Sequence, residues 1–521
     1  MNFSPLDYVI FIGYILFIVG LGLWVSREKK GHEKNSSDYF LASKALPWWT
    51  IGASLIAANI SAEQFIGMSG SGFVIGLGIA TYEWTAAITL IMVAKFFLPI
   101  FLKEGIYTMP QLLEIRYDRR VRTGLAVFWL LLYVFVNLTS VLYLGALALR
   151  TIMGVPLMCG IIGLAVFSAL YTIYGGLKAV AWTDVVQVSV LIIGGLVTTF
   201  FALNAVSGGS GVLAGFSDLL QQAPEKFDMI LDKTNPNYKE LPGLGVLLGG
   251  MWMAHFFYWG CNQYITQRAL AAKNIKEAQR GLMFGGYLKI LTPLIVVIPG
   301  IVAFALKADI AKPDEAYPWL LSNFVPTGLK GLAFAALIAA IVSSLSSMVN
   351  STATIFSMDI YKQIIKKDAS ERQLVLTGRL ASAVALIIAV LIAPTLTNLE
   401  QAFQFIQEFT GFISPGIFAI FIFGLFWKKA TANSALWAAA LTIPLSLGIK
   451  ILIPALPFLN RMGVVFLILS AIVVVITLLE SREDSPKAIK VEKGLFHTDT
   501  VFNVGAIGIF AILAVLYTIW W

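Results

Sequence analysis

Ile51-Gly52-Ala53-Ser54-Leu55-Ile56-Ala57-Ala58-Asn59-Ile60-Ser61-Ala62-Glu63-Gln64-Phe65-Ile66-Gly67-Met68-Ser69-Gly70-Ser71-Gly72 has the length and apolarity of a bilayer-crossing segment. Its middle does not fit lipid: Asn59, Glu63 and Gln64 put two amides and a carboxylate at membrane depth, and Gly67, Gly70 and Gly72 follow. Hydrocarbon offers no partner to such groups or to freed backbone, so they persist where a helix unwinds beside a cavity. The stretch predicts a broken helix and a binding site inside a membrane.

The rest of the chain agrees. Of its 521 residues 58% are hydrophobic and 13% charged, with mean hydropathy +0.82; ordinary soluble domains carry about 25% charged residues. Apolar runs of about 20 residues recur from Leu6 to Trp521, about 14 in all, each long enough to cross a core of about 30 Å as a helix. Barrel strands would be half that length and alternating. The first run, Leu6 to Val25, lacks the basic start and the small-residue cleavage site of a secretory signal and reads as a retained helix. Cys159 and Cys261 both lie in apolar segments, which leaves no disulfide framework and no cysteine metal site.

A net charge of +8 could signal nucleic acid, but its placement points to topology. Arg27, Lys29, Lys30, Arg116, Arg119, Arg120, Arg122, Arg268, Lys273, Lys276, Arg280, Lys366, Lys367, Lys428, Lys429, Lys487 and Lys490 fall on alternate loops. By the positive-inside rule that side is cytoplasmic and both termini face out. Asp359 to Arg372 and Ser481 to Lys493 read as solvated cytoplasmic connectors. Trp48, Trp49, Trp520 and Trp521 sit at segment ends as interfacial anchors. Pro110, Pro293, Pro299 and Pro415 are expected to bound, kink or break the runs that hold them.

A second interrupted segment, Leu244 to Arg268, carries Trp252, His255, Tyr258, Trp259, Gly260, Asn262 and Gln263 at lipid depth and begins five segments after the first. Two broken helices in corresponding positions point to an inverted-repeat secondary transporter with its substrate near the midplane. Five segments plus five, one before and three after, divide the chain into 1–46, a first repeat at 47–206, a second at 243–427 and extra helices at 428–521.

Glu83 and Lys289 are ionisable residues in apolar segments, each costing about 2.5–3.5 kcal/mol on insertion scales; Lys289 either faces a cavity, or snorkels or makes a structural ion pair. Gln64, Glu83, Lys289 and Gln407 together offer donors and acceptors, which suits a neutral polyhydroxylated solute. No buried arginine clamp for an anion is expected, since Arg150 and Arg379 lie near segment ends. Tyr258, Trp259, Phe403 and Phe405 either pack the helices or cover an apolar sugar face. Ser343, Ser344, Ser346 and Ser347 either bond back to their own helix or serve a hard cation such as Na⁺, which takes about five or six oxygen ligands. Gly209-Ser210-Gly211-Val212-Leu213-Ala214 fits a nucleotide-binding pattern by chance, having no preceding strand.

At Asp38 to Ala42, Ser54 to Gly72, Tyr174 to Leu177, Asn350 to Thr354 and Gly424 to Lys429, the chain resembles the sodium/solute symporter family, above all its bacterial sugar-transporting members. The resemblance implies an all-α membrane protein whose LeuT-like core of two inverted five-helix repeats works by alternating access. It implies a Na⁺ site from the carbonyls of Ala57, Ile60 and Ala340 and the hydroxyls of Ser343 and Ser344, with Asp184 on the ion's exit route. It also implies a sugar site from Gln64, Glu83, Lys289 and Gln407. Tyr258 would be the inner gate, its hydroxyl held by Asn59, while Met68 and Phe403 would close the outer side.

Two positions depart from the sugar transporters' pattern. His255 replaces an asparagine that contacts sugar, and Ala86 replaces a serine; one hydrogen bond is worth about 0.5–1.5 kcal/mol, so the preferred sugar is open. His255 is expected to donate to a sugar hydroxyl when neutral. The reading is thus a Na⁺-coupled monosaccharide symporter of the bacterial inner membrane. Na⁺ is the co-transported ion, and no organic cofactor, nucleic acid or enzymatic chemistry is expected. A symporter for another solute, a membrane sensor and a membrane enzyme are the competing readings.

Overall fold

The computed structural model describes residues 4–27, 33–396 and 402–521, without the side chains of 402–406. Among these residues the fold is helical, and the only bridge of sheet type is an isolated one between Leu46 and Ala272. Eleven helices among the described residues are long and apolar enough to cross a membrane, so the chain is a multi-pass membrane protein of the all-α class. The apolar segments 48–74, 244–270 and 402–426 are not among the eleven because each is interrupted.

The elements that frame the site are α1 (Pro5–Val25), α2 (Trp48–Asn59), α3 (Ser69–Val74), α4 (Thr81–Met92), α5 (Leu177–Val206), α6 (Met251–Phe256), α7 (Gln263–Leu270), α8 (Ile275–Ala305), α9 (Leu329–Ile355), α10 (Ala402–Gly411) and α11 (Ser414–Phe426). Burial separates centre from rim: 94% of the most apolar window in Leu329–Ile365 is buried, against 22% in Pro5–Val25. A helix apolar all round lies in a core or faces lipid, and α9 and α1 are those two cases.

The first break falls where the sequence places it. Ile60 adopts φ −74°, ψ 111°, extended rather than helical, and a wide π-type turn over Glu63–Met68 follows before α3. Local polar side chains draw the backbone donors away. Ser61 N–H donates to Gln64 Oε1 at 2.9 Å, Glu63 N–H to Ser61 Oγ at 3.1 Å, and Gln64 N–H to the Ser61 carbonyl at 3.2 Å. In a continuous helix those three donors would serve the carbonyls of Ala57, Asn59 and Ile60. The second break centres on Asn262 (φ −86°, ψ 126°), between a wide turn at Phe257–Cys261 and α7. A third separates α10 from α11, with Pro415 in the first turn of α11, where its missing N–H costs nothing.

Pro293 and Pro299 do not break their segment: α8 runs 31 residues through both. It is held from outside, because glycines let backbones approach closely. A Cβ on Gly52 would lie 2.6 Å from the Gly281 carbonyl oxygen, one on Gly72 2.7 Å from that of Val297, and one on Gly300 would collide with that of Ser69. Helices α2 and α3 are therefore both fastened to α8.

Several loop assignments are corrected. Asp359, read as part of a solvated connector, is fully buried, and the helix of α9 continues past it to Ile365. It accepts from Arg122 Nε at 2.7 Å and Thr108 Oγ1 at 3.0 Å. Arg116, Arg122 and Arg268 are buried rather than loop residues; Arg116 Nε, for one, donates to the Gly424 carbonyl at 2.7 Å. Trp48, Trp49 and Trp521 stay exposed, but Trp520 packs on Phe227 at 5.2 Å between centroids.

Candidate substrate and ion site

The first break, α4, the segment from α6 into its wide turn, α8 and α10 surround a cavity of about 70 Å³. A water takes about 10–15 Å³ of such space, so there is room for about five to seven waters, in keeping with one small polar solute. Asn59, Gln64, Met68, Glu83, His255, Tyr258, Lys289 and Gln407 all line it, as do Glu63, Tyr82, Trp259 and Thr410. Every sugar-site residue expected from sequence therefore meets in one place. The expectation for Phe403 falls on a side chain outside those described.

Lys289 Nζ donates to Glu83 Oε2, and both side chains are almost wholly buried. The two readings of Lys289 are thus both right: it is ion-paired and it faces the cavity, with its ammonium 5.2 Å from the Trp259 ring centroid. Gln64 is divided between two tasks. Its Oε1 is engaged by Ser61 N–H at the restart of the helix, which leaves its amide N–H groups as donors toward the cavity. His255 Nε2 lies 2.7 Å from Thr85 Oγ1, a partner the sequence reading did not single out.

On the floor of the site the Tyr258 hydroxyl accepts from Asn59 Nδ2 at 2.9 Å and from the Tyr264 hydroxyl at 2.6 Å. Asn59 ends α2 and Tyr264 lies in α7, so Tyr258 ties the two broken helices together. Met68, which also lines the cavity, is completely buried.

Ala57, Ile60, Ala340, Ser343 and Ser344 are buried next to the break. Ser344 Oγ donates to the Ala58 carbonyl at 2.9 Å and lies 3.4 Å from that of Ile60. Its neighbour Ser343 turns elsewhere, donating to Asp184 Oδ1 at 2.6 Å. The pair of hydroxyls thus joins α9 to the freed carbonyls of α2 through one member and to α5 through the other.

Asp184 has a cationic partner that sequence reasoning placed in a loop. Arg268 on α7 reaches Asp184 Oδ2 at 3.4 Å, with both side chains fully buried. Ser54 bridges them, accepting from Arg268 Nε at 2.9 Å and donating to Asp184 Oδ2 at 2.5 Å. Arg268 also donates to Ser347 Oγ and to the Tyr264 carbonyl. Arg268, expected among the loop charges, is therefore buried against Asp184 and does not line the cavity. The one signal available was its position, within the second interrupted segment rather than after it.

Comparison with known proteins gives a consistent result. Residues 39–441 match the sodium:solute symporter family. The sodium/glucose cotransporter of Vibrio parahaemolyticus is 54% identical over 99% of this chain and 98% of its own. Sodium/myo-inositol cotransporter 2 of Oryctolagus cuniculus is 34% identical over 84% of this chain and 69% of its own. Among solved structures, a substrate-bound, outward-open Na⁺-coupled sialic acid symporter aligns with a TM-score of 0.79 over 92% of this chain and 98% of its own; at 24% identity this is a likeness of fold.

Proposed function

From the premise that the chain belongs to the sodium:solute symporter family, we propose that it imports a monosaccharide of the glucose or galactose type, driven by Na⁺, across a bacterial inner membrane. The observation that carries the proposal is the economy of the first break. Within it, the Ile60 carbonyl stands near Ser344 Oγ on one side, and Gln64 lines the solute cavity on the other. Ion and solute would thus share one unwound turn.

In this reading Na⁺ is held by freed carbonyls at the end of α2 and in the break, those of Ala57 and Ile60, by Ala340 of α9 and by the hydroxyl of Ser344. Ser343 and Asp184 form the adjoining exit step. The solute is gripped by Gln64, Glu83, Lys289, Gln407 and His255, with Tyr258 beneath and Met68 above. Donors and acceptors both line the cavity and no described arginine does, which favours a neutral polyol over an organic anion. A cation in the break would pull the free carbonyls together and set Gln64 and Asn59 in place. Na⁺ would then favour the solute-competent state, the differential affinity that coupling requires. The two five-helix repeats, 47–206 and 243–427, would supply the alternating motion, and the lysine- and arginine-rich loops would lie in the cytoplasm with both termini outside.

Uptake of labelled glucose or galactose into proteoliposomes tests the proposal, with inward Na⁺ and H⁺ gradients applied separately and unlabelled monosaccharides and a cyclitol as competitors. Na⁺-dependent uptake competed by hexoses is expected. Uptake indifferent to Na⁺ and driven by protons would refute the coupling, and competition by the cyclitol alone would refute the substrate class.

A further inference from the structure

We propose that Thr85 fixes the proton of His255 on Nε2 and so turns this ring into a hydrogen-bond acceptor toward the transported solute. The inference deepens the function proposed above and rests on it for the solute's identity.

The argument is one of proton counting. Thr85, on α4, has its Oγ1 2.5 Å from the carbonyl oxygen of Thr81 and 2.7 Å from His255 Nε2. A hydroxyl has one proton to give. Two oxygens at 2.5 Å with no proton between them would set lone pair against lone pair, so the Thr85 proton points at the Thr81 carbonyl. Toward His255 the hydroxyl is then an acceptor only, and Nε2 must carry hydrogen. A neutral imidazole has one N–H, which leaves Nδ1 bare. No described residue bonds Nδ1, and the ring lines the solute cavity.

This reverses the expectation that neutral His255 donates. Around the cavity Gln64 and Lys289 present donors; His255 requires a solute group that itself donates, such as a hydroxyl. Fluorine in place of that hydroxyl keeps the size and the acceptor but removes the proton, and would face Nδ1 lone pair to lone pair. Thr85 is thus a positioning residue for specificity, acting through the ring it orients.

Two measurements test this. The chain has three histidines, His32, His255 and His497, so ¹⁵N-histidine spectra of the full-length protein in lipid are assignable with the single variant His255→Asn. Wild type and Thr85→Ser are expected to show His255 with Nε2 protonated and Nδ1 bare, and Thr85→Val a mixture of tautomers. The second measurement is competition of labelled sugar uptake by monodeoxyfluoro sugars covering each hydroxyl. One position should lose about two- to tenfold in wild type and Thr85→Ser, the worth of one hydrogen bond, and recover in Thr85→Val. A wild-type His255 protonated on Nδ1, or on both nitrogens, overturns the proposal, as does fluorine discrimination unchanged in Thr85→Val. The spectra are recorded without solute or Na⁺, so failure of the transport reading is seen in the uptake assay while the tautomer is decided independently.

Discussion

Replacing Asp184 by asparagine strands the guanidinium of Arg268 in a site where neither side chain meets solvent. Removing one partner of a buried ion pair costs about 3–5 kcal/mol, because the other charge stays behind without compensation. The contact here is loose at 3.4 Å, and Arg268 keeps Ser54, Ser347 and the Tyr264 carbonyl as acceptors. The lower end, about 3 kcal/mol, is therefore expected for Asp184→Asn, and a similar loss for Arg268→Met, which leaves Asp184 with only the Ser54 and Ser343 hydroxyls. The double variant removes both charges and should be more stable than either single one. Heat inactivation in detergent, followed by loss of the monodisperse folded peak, measures this: each single variant should inactivate up to about 100-fold faster than wild type. If the double variant loses as much as the two singles summed, the sites are independent and the reasoning fails.

Four further outcomes are expected. Ser344→Ala should raise the Na⁺ concentration for half-maximal uptake by about two- to tenfold, with Na⁺ titrations of initial rate as the check; an unchanged value removes Ser344 from the ion's surroundings. Asn59→Ala and Tyr258→Phe should be non-additive in sugar KM because they remove two ends of one hydrogen bond; additive effects would show that the bond does not serve transport. Glu83→Gln should cost more in folded yield than Glu83→Gln combined with Lys289→Met, since the single change leaves a buried ammonium unpaired; equal yields would contradict the pairing. Spin labels at Phe73 and Phe304, whose rings are 5.8 Å apart, should keep their separation with and without Na⁺; a large change would contradict the fastening of α3 to α8.

The breaks were legible because their causes are local. The side chains of Ser61 and Gln64 take backbone donors within a few residues of themselves, and Pro415 acts on its own turn. Glu83 and Lys289 were legible as costs: two isolated charges at membrane depth must find partners, and they found each other. What the sequence hid was tertiary. Arg268, Arg122 and Asp359 look like ordinary loop charges until distant helices close over them. Thr85 is an inconspicuous threonine beside Trp84, and its importance depends on His255, 170 positions away. Ser343 and Ser344 share one chemistry and differ only in the side of α9 they face, which decides carbonyl against carboxylate. Pro293 and Pro299 leave α8 unbroken, and the close contacts along it, Gly52 on Gly281, Gly72 on Val297 and Gly300 on Ser69, depend on helices distant in sequence.

The fastening of α3 to α8 has a thermodynamic corollary. Gln64 stands at the base of the π-type turn that leads into α3, and Lys289 rides on α8, so two of the donors proposed to read the solute belong to one body. If that body moves as a unit, the pattern it presents to the hydroxyls is the same whichever side of the membrane is open. Affinity then changes through the walls that withdraw, while the order of preference among sugars does not. Such a carrier would rank its substrates identically from within and from without, and only the strength of its hold would differ.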